Sequence, residues 1–368
     1  MANEVTVGVL YNQIGEDDYE AMIRKARQDT ELTSGAVAIR TVEEQIAVLL
    51  RDLRRAGFRS YGVNVRDSFA RLSRTLGKRR PDAVFNLVEF FNDDPRQEFM
   101  VAGLYELLRI PYTGAPPLTL ALCQRKATAK QMLLAGGIRT PRYRVMSIPL
   151  SSRRHGLKYP LIVKPVREDA SAGIDDTSVV TSYEKMEERV RFIESEFHQP
   201  ALVEEYIDGR ELHVPVLGNF PPRVLPVAEM DFSGLPPEIP NILSFAAKWD
   251  PRHAAYHRLQ ARCPADLPPR VQRNVQAIAL AAYRVLGCRD YARIDMRLNR
   301  RNQAFVLEVN PNPDLSEDDI FMQSAHRAGL SSTDVLRKIV ELALRRTPRA
   351  AVEGGDRMKS TEVGEQPS

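Results

Sequence analysis

Two apolar segments near the C-terminal end limit the fold most strongly: YARIDMRL (Tyr291–Leu298) and AFVLEVN (Ala304–Asn310). Both are rich in residues that favour strands, and a short polar stretch separates them. This pattern predicts a β-hairpin that turns about Arg301 and Asn302. Together with the alternation of strands and helices in the first ~115 residues, this hairpin indicates a mixed α/β protein.

The predicted hairpin places acidic groups together. Pairing about the turn sets Asp295 opposite Glu308. Because side chains alternate between the two faces of a strand, Arg293 shares a face with Asp295, and Asn310 shares a face with Glu308. Like charges placed directly opposite each other are destabilising unless a cation lies between them. Oxygen ligands of this type suit magnesium, which prefers one or two carboxylates together with water and phosphate oxygens.

The alternative is an exposed hairpin face that carries acids by chance. The strongly apolar residues around Asp295 and Glu308 favour the cation site. The stretch PNPDLSEDD (Pro311–Asp319) that follows contains two prolines and four carboxylates. It is compatible with a solvated turn, with part of a cation site, or with the edge of a substrate pocket.

A magnesium site with so few protein ligands suggests a bound nucleotide. The sequence contains neither GxxxxGK[ST] nor GxGxxG, which disfavours a P-loop or a Rossmann cofactor site. Lys126, and Lys164 at the end of an apolar strand, are candidate phosphate ligands. The loop of small residues from Asp169 to Gly173 would let backbone N–H groups approach phosphate oxygens closely.

Strands and helices alternate along the first ~115 residues, which predicts an open α/β domain. Strands are expected at 5–11, 60–65 and 82–90, with a helix at 41–57. Beyond it, a single helix is predicted at 119–137, and others at 182–197, 268–287 and 331–346. The Pro-rich segment 233–268 is expected to be irregular. The predicted domains are 1–115, 116–203 and 204–347, followed by a disordered tail at 348–368.

Composition excludes several classes of protein. The chain has 368 residues, and 52 basic against 48 acidic side chains give a net charge of only +4, which argues against a nucleic-acid-binding protein. Three widely spaced cysteines, Cys123, Cys263 and Cys288, show neither zinc-site nor disulfide spacing. The N-terminus lacks a signal-type apolar run, and no stretch approaches the ~20 apolar residues of a membrane span. A cytoplasmic protein without a membrane partner is therefore predicted.

The pair His253 and His257 has a spacing typical of metal ligands but lacks a third ligand in its Pro-rich segment. A surface or packing role is the favoured interpretation. No Ser/His/Asp or Cys/His arrangement with supporting context is evident.

Taken in order, these segments resemble the ATP-grasp superfamily and, within it, the D-alanine–D-alanine ligases. The resemblance begins at LLRIPYTGAPPLTLALCQRKATAKQMLLAGGIRTPRY and continues through YPLIVKPVREDASAGI, LVEEYIDGRELHVPVLGN, FAAKWD, YARIDMRL and VLEVNPNPDLS. It covers about Leu107 to Arg346, and the N-terminal third agrees only in general pattern. The resemblance implies an α/β (α+β) ATP-grasp fold of three domains, with an N-terminal open α/β (pre-ATP-grasp) domain.

The resemblance also implies roles for individual residues. For ATP, these are Lys126 and Lys164 on the phosphates, Glu204, Glu205 and Ile207 around the adenine, and Glu211 on the ribose hydroxyls. The loop around Ser171 would close over the phosphates, and Lys248 would contact the transferred phosphoryl group. Asp295, Glu308 and Asn310 would hold two magnesium ions, with manganese as an alternative. Arg293 would stabilise negative charge on the reacting carbonyl.

The departures from the family fall on the lid and on the amino-acid pockets. The family's Gly-Ser-Ser is here Asp169, Ala170 and Ser171, and a glycine of the oxyanion hole is replaced by Asp314. Asp319 stands where the family uses a serine to bind the carboxylate of the second D-alanine, and an aspartate there would repel a carboxylate.

The N-terminal histidine that contacts the first D-alanine in the family is not evident either. The stretch FNLVEFFNDDPRQEF offers Glu89, Asn92 and Glu98 instead.

The resulting prediction is an ATP-dependent carboxylate–amine ligase that forms an acyl phosphate and acts on small molecules. The acidic second pocket favours an amine that carries extra positive charge or lacks a carboxylate. Two alternatives are an authentic D-alanine–D-alanine ligase of cell-wall synthesis and a catalytically inactive ATP-binding regulatory protein. The resemblance is also compatible with a homodimer.

Overall fold

Three β-sheets organise the chain in the computed structural model, which describes residues 4–13, 41–78, 80–92, 94–150, 152–168, 171–236, 238–249 and 258–346. The tail predicted to be disordered and the pair His253 and His257 lie outside the described residues. Within the described ranges, no helix has both the length and the apolar character needed to cross a membrane.

The first sheet is parallel and has the strand order β2-β1-β3. Its elements are β1 (Thr6–Tyr11), α1 (Val42–Arg55), β2 (Arg59–Asn64), α2 (Phe69–Lys78), β3 (Ala83–Leu87), a 3-10 turn (Pro95–Gln97) and α3 (Glu98–Leu107). The helix α1 begins at a capping box, in which Thr41 and Glu44 bind each other's backbone N–H groups. The alternation of strands and helices in the sequence predicted this arrangement.

Two helices, α4 (Pro117–Gln124) and α5 (Lys126–Ala135), occupy the segment in which a single helix was predicted. That prediction was wrong at Arg125, whose backbone has φ −89° and ψ 78°. The two helices pack into different cores: Leu120 of α4 lies against the N-terminal sheet, whereas Leu133 of α5 lies against the largest sheet. The break at Arg125 thus lies between a helix that packs on one core and a helix that packs on another.

The second sheet is antiparallel, with the order β4-β7-β5-β6. Its elements are β4 (Tyr143–Met146), β5 (Leu161–Pro165), β6 (Val179–Val180), α6 (Tyr183–Phe197) and β7 (Ala201–Glu205). The helix α6 starts at the N-cap Ser182, and its Val190 and Ile193 pack against Leu161 and Val163 of the sheet. We propose this unit as the second domain, with its boundary after Glu205 because β7 runs to that residue.

The third sheet is antiparallel and contains the predicted hairpin, in the order β11-β10-β8-β12-β13 with β9 paired to β8. Its elements are β8 (Gly209–Leu217), β9 (Arg223–Val224), β10 (Ala228–Asp231), α7 (Phe245–Trp249), β11 (Gln260–Arg262), α8 (Pro269–Val285), β12 (Tyr291–Asn299) and β13 (Ala304–Asn310). The helix α7 and the strand β11 lie in the segment predicted to be irregular. The pairing of β11 with β10, which is non-local in sequence, is what stabilises that strand.

The chain ends its described part with α9 (Ile320–Arg327) and α10 (Ser332–Leu344). These helices pack on the N-terminal sheet: Leu336 and Ile339 share a core with Val7, Val9 and Ile46. The last predicted helix therefore closes the first sheet, although it follows the third sheet in sequence.

Buried Asp290, which has no exposed surface, joins the N-terminal sheet to the rest. Its carboxylate accepts hydrogen bonds from the backbone N–H of Gly114 at 2.9 Å and from Asn219 Nδ2 at 3.0 Å. Arg346 also pairs with Asp290 and reaches the carbonyl of Tyr112. One carboxylate thus holds three chain segments in fixed relative positions.

Gly209 provides a test of the packing between β8 and β12. Its φ is +151°, and a Cβ there would lie 1.9 Å from the carbonyl oxygen of Leu298. We expect Gly209→Ala to lower the free energy of unfolding by roughly 3 kcal/mol, because both the backbone conformation and the clash oppose it. The control is Gly57→Ala, because Gly57 has φ +91° but a Cβ added there would meet no atom within 4 Å. This control should lower the free energy of unfolding by only about 1–2 kcal/mol. Equal losses in urea unfolding would contradict the close approach.

Candidate active site

The hairpin of β12 and β13 brings the predicted acidic pair together. Asp295 pairs with Glu308, and Arg293 pairs with Asn310, as the sequence predicted. The register shifts between Asp295 and Met296, which pairs with Val306, so Leu307 is an extra residue in a β-bulge. The regular hairpin that was predicted lacked this bulge. Continuing the register of the turn without it would set Asp295 opposite Leu307.

A buried lysine donates a hydrogen bond to the backbone carbonyl of the bulged residue, Leu307. Lys130, on α5, donates from Nζ to the carbonyl of Leu307 at 2.9 Å and to Thr140 Oγ1 at 2.7 Å. The same ammonium lies 2.7 Å from Glu204 Oε1. The carbonyl released by the bulge therefore has a charged donor, and the hairpin is tied to β7 through Glu204.

Glu204 lies between two lysines. Its second oxygen, Oε2, is 3.0 Å from Lys164 Nζ at the end of β5. Burial alone would raise the pKa of Glu204, but the ammonium groups of Lys130 and Lys164 outweigh it and hold that pKa below its usual value. Burial lowers the pKa of Lys130 to about 8, and Glu204 opposes that shift. The Glu204 side chain predicted near adenine is thus engaged by two cations, one of which is the predicted phosphate ligand Lys164.

One face of β12 carries alternating charges: Arg293, Asp295 and Arg297. Arg293 donates from Nε to Asp295 Oδ1 at 2.8 Å and from Nη2 to Oδ2 at 3.0 Å. Burial would raise the pKa of Asp295, but Arg293 and His213 outweigh it and hold that pKa far below its usual value. Burial opposes the charge on Arg293, and Asp295 raises the pKa of that guanidinium above its usual value.

The neighbouring strand β8 supplies the counter-groups. Glu211 accepts from Arg297 Nη2 at 2.8 Å, and His213 Nδ1 lies 2.8 Å from Asp295 Oδ1. Glu211 was predicted from the sequence as a nucleotide-site residue, whereas His213 was not predicted. The signal was present, because Glu211 and His213 are two residues apart on a predicted strand and so share one face.

Two of the oxygen ligands predicted for magnesium, Glu308 and Asn310, are half-buried, whereas the third, Asp295, is buried. Lys126 Nζ is 3.3 Å from Glu308 Oε2, and Asn310 Oδ1 accepts from the N–H of Asn312 at 3.3 Å. In the described part of the chain, no three His, Cys, Asp or Glu side chains cluster as a metal site. Two carboxylates and one amide oxygen are nevertheless the ligand chemistry that suits magnesium when phosphate oxygens complete the shell. The residues present fit such an ion.

A cleft between the second and third sheets gathers most of the predicted nucleotide residues. Its lining includes predicted site residues from both sheets and from the small-residue loop: Lys164, Ser171, Glu204, Glu205, Ile207, Glu211, Asp295 and Glu308. Lys126 and Arg293 lie beside it through their contacts with Glu308 and Asp295, and Asn310 pairs with Arg293 across the hairpin. Lys248 belongs to α7, but its side chain lies outside the described part of the structure, as do Asp169 and Ala170.

The loop after Ser171 is held by Arg189 of α6. This guanidinium donates to the carbonyl of Gly173 at 2.8 Å and to Thr177 Oγ1 at 3.0 Å, and it pairs with Asp175 at 2.8 Å. Ser171 itself has φ +65°. Arg189 therefore anchors the segment that follows Ser171 to α6.

Asp319 is the N-cap of α9, where its Oδ1 accepts from the N–H of Phe321 at 3.0 Å. It lies 3.9 Å from Arg293 Nη1. Burial raises the pKa of Asp319, and Arg293 opposes that shift. Among the N-terminal candidates, Glu98 Oε1 accepts from Asn312 Nδ2 at 3.3 Å, whereas Asn92 bonds Gln97. Asp319 at the start of α9 and Glu98 at the start of α3 thus both lie near the end of the hairpin.

The family model described as "D-ala D-ala ligase C-terminus" matches residues 145–341. The uncharacterized protein y4sG of Sinorhizobium fredii is 35% identical over 275 residues, which cover 75% of this chain and 77% of that protein. The D-alanine–D-alanine ligase of Desulforudis audaxviator is 35% identical over 251 residues, or 67% of this chain and 77% of that enzyme.

A longer alignment joins the chain to the D-alanine–D-alanine ligase of Carboxydothermus hydrogenoformans, which is 30% identical over 317 residues, 84% of this chain and 94% of that enzyme. The crystal structure of the D-alanine–D-alanine ligase from Bacillus anthracis complexed with ATP is similar with a TM-score of 0.66. It covers 93% of this chain and 98% of its own at 19% identity, and so shows a shared fold. The ATP-grasp fold predicted from the sequence is confirmed.

Lys130 gives a test of how the cleft is held. We expect Lys130→Met to lower the free energy of unfolding by about 3 kcal/mol, because Glu204 loses one of its cations and the Leu307 carbonyl loses its donor. The control Arg142→Met removes an exposed ion pair with Glu205, at 3.5 Å with Arg142 61% exposed, and should stay within about 0.5 kcal/mol. A Lys130→Met protein as stable as the wild type in urea would contradict the role given to the bulge.

Proposed function

Because the chain belongs to the D-alanine–D-alanine ligase family of ATP-dependent ATP-grasp ligases, we propose that it joins a small-molecule carboxylate to an amine through an acyl phosphate. The observation that carries this proposal is the pairing of Asp295 with Glu308 beside Lys126 and Arg293, at one side of a cleft lined by Lys164. Two carboxylates beside three cations form a site suited to phosphoryl transfer, which depends on positioning and on neutralising charge.

ATP is proposed to occupy the cleft between the second and third sheets. Glu204, Glu205 and Ile207 would surround the adenine, with Glu211 on the ribose, and all four residues line the cleft. Lys126 and Lys164 would meet the phosphates. Both lysines are buried and held by carboxylates, so the position of each ammonium is fixed before nucleotide arrives.

Magnesium, or manganese in its place, is proposed to bind Asp295, Glu308 and Asn310. When bound, such an ion offsets negative charge on the phosphate oxygens of ATP. Asp295 has bonds from Arg293 and His213 on Oδ1 and a single bond from Arg293 on Oδ2. A further lone pair of Oδ2 is therefore the one suited to the ion.

The reaction that we propose begins when the substrate carboxylate attacks the γ-phosphoryl group, giving an acyl phosphate and ADP. The amine then attacks the acyl carbon, and phosphate leaves with the bonding electron pair and takes up the proton that the amine nitrogen loses. Arg293 donates hydrogen bonds from Nε and Nη2 to Asp295. Its third nitrogen, Nη1, lies 3.9 Å from Asp319 Oδ1. That nitrogen would stabilise the negative charge that develops on the reacting carbonyl oxygen. Ser171 and Lys248 would act at the phosphates, from the loop and from α7.

The amine pocket is proposed to differ from that of a D-alanine–D-alanine ligase. Asp319 caps α9 beside Arg293, at the place where a carboxylate of the second substrate would be bound in the family. A second carboxylate would be repelled there, whereas a cationic group would be attracted. We therefore favour an amine that lacks a carboxylate or carries extra positive charge. A cytoplasmic location and a homodimer stay predictions.

The reaction can be tested by ADP release across panels of carboxylates and amines, with magnesium present. Turnover should require one carboxylate and one amine together, and Glu308→Gln should reduce it by at least about a hundredfold. The control Glu184→Gln makes the same change at a side chain that is 68% exposed, and should leave turnover unchanged. Full turnover with D-alanine alone would instead identify an authentic D-alanine–D-alanine ligase. ATP binding without turnover on any panel would favour the inactive regulatory protein.

Asp319→Ser tests the amine pocket separately. Serine is as good an N-cap as aspartate, so α9 should keep its stability. We expect the ratio of turnover with carboxylate-bearing amines to turnover with cationic amines to rise by about tenfold, which corresponds to about 1.4 kcal/mol. An unchanged ratio, measured by the same ADP-release assay, would show that Asp319 does not face the amine.

A further inference from the structure

His213 is a buried side chain of the cleft that no assigned role explains. Only 2% of the residue is exposed, and its Nδ1 lies 2.8 Å from Asp295 Oδ1. The Asp295 carboxylate can only accept a hydrogen bond, so Nδ1 of His213 carries the hydrogen. The opposite nitrogen, Nε2, is therefore the atom that His213 offers to the cleft.

The Nε2 atom has no hydrogen-bond partner among the described residues, although it is buried. Its neighbour is Glu211 Oε1 at 3.6 Å, beyond hydrogen-bond distance. The other oxygen of Glu211, Oε2, is taken by Arg297 at 2.8 Å. Nε2 of His213 and Oε1 of Glu211 thus lie side by side in the cleft, and a buried polar atom without a partner is costly until a ligand satisfies it.

The charges around this pair determine which ligand it suits. A phosphate would meet the carboxylate of Glu211, so an anion is disfavoured. A metal ion would meet the guanidinium of Arg297, and the described residues provide no third His, Cys, Asp or Glu ligand. The ligand that suits this pair is therefore a neutral group that can both donate and accept hydrogen bonds. Two adjacent hydroxyl groups fit two polar atoms 3.6 Å apart.

We propose that His213 completes the ribose site already proposed for Glu211: one hydroxyl of the vicinal diol binds Glu211 Oε1, and the adjacent hydroxyl donates to His213 Nε2. This inference rests on the proposed function, since it takes ATP as the ligand of the cleft. His213 then links the sugar to the metal-site carboxylate, because Nδ1 bonds Asp295 while Nε2 bonds the ribose. The site selects ribonucleotides with both hydroxyls over deoxynucleotides.

The test measures equilibrium binding of ATP, 2′-deoxy-ATP and 3′-deoxy-ATP to the full-length protein, in the wild type and in two variants. In His213→Asn the amide nitrogen takes the place of Nδ1, so the bond to Asp295 is retained and the ribose contact is lost. In His213→Gln the amide takes the place of Nε2, so the ribose contact is retained and the bond to Asp295 is lost. The pair of variants therefore separates the two functions of the imidazole.

The wild type should bind ATP at least ~10-fold more tightly than one of the two deoxynucleotides, because the missing hydroxyl leaves a buried atom unpaired. His213→Asn should lose most of that preference for the same hydroxyl, and His213→Gln should keep it. In turn, the magnesium concentration needed for tight ATP binding should rise in His213→Gln and stay unchanged in His213→Asn.

Two results would overturn the inference while leaving the proposed function intact. One is wild-type protein that binds ATP and both deoxynucleotides equally well, a comparison that needs no variant to fold. The other is His213→Asn protein that keeps the full preference for ATP. Wild-type protein that binds no ATP would instead overturn the proposed function, and this inference with it.

Discussion

The row of alternating charges on β12 is the constraint on which the cleft depends. Arg293, Asp295 and Arg297 are all buried, and a buried charge is tolerated only when it is paired. Their partners, Glu211 and His213, come from β8, and each partner sits directly across from the charge that it binds. A slip of one residue between β8 and β12 would place the charged groups of one strand on the face opposite their partners on the other strand. The charges therefore contribute, with the apolar core, to fixing the register of the sheet.

The bulge at Leu307 extends the same constraint to the second sheet. It restores the alignment of Asp295 with Glu308, and it releases a carbonyl that Lys130 satisfies. Lys130 also pairs with Glu204, whose other oxygen binds Lys164 of the second sheet. One chain of contacts thus runs from the predicted metal ligands to the predicted phosphate ligand. The cleft between two sheets is held by these buried pairs before any nucleotide binds.

The parts predicted correctly from sequence are those decided by local pattern. The hairpin and the pairing of Asp295 with Glu308 follow from the alternation of side chains along two neighbouring strands. The bulge at Leu307 and the helix break at Arg125 were missed because both are set by distant partners. His213 was overlooked for a different reason: it belongs to the site because it hydrogen-bonds Asp295, which is 82 residues away in the sequence.

The sequence by itself determined the fold class, the acidic hairpin and the family, because periodicity and residue order are properties of the chain alone. Only the tertiary structure decided which strands share a sheet. The strands β7 and β8 are adjacent in sequence but belong to different sheets, and α10 closes the N-terminal sheet from the far end of the chain. It also decided that Asp319 caps α9 beside Arg293. Such contacts between distant segments form where buried apolar area and paired charges are greatest, and local pattern does not encode them.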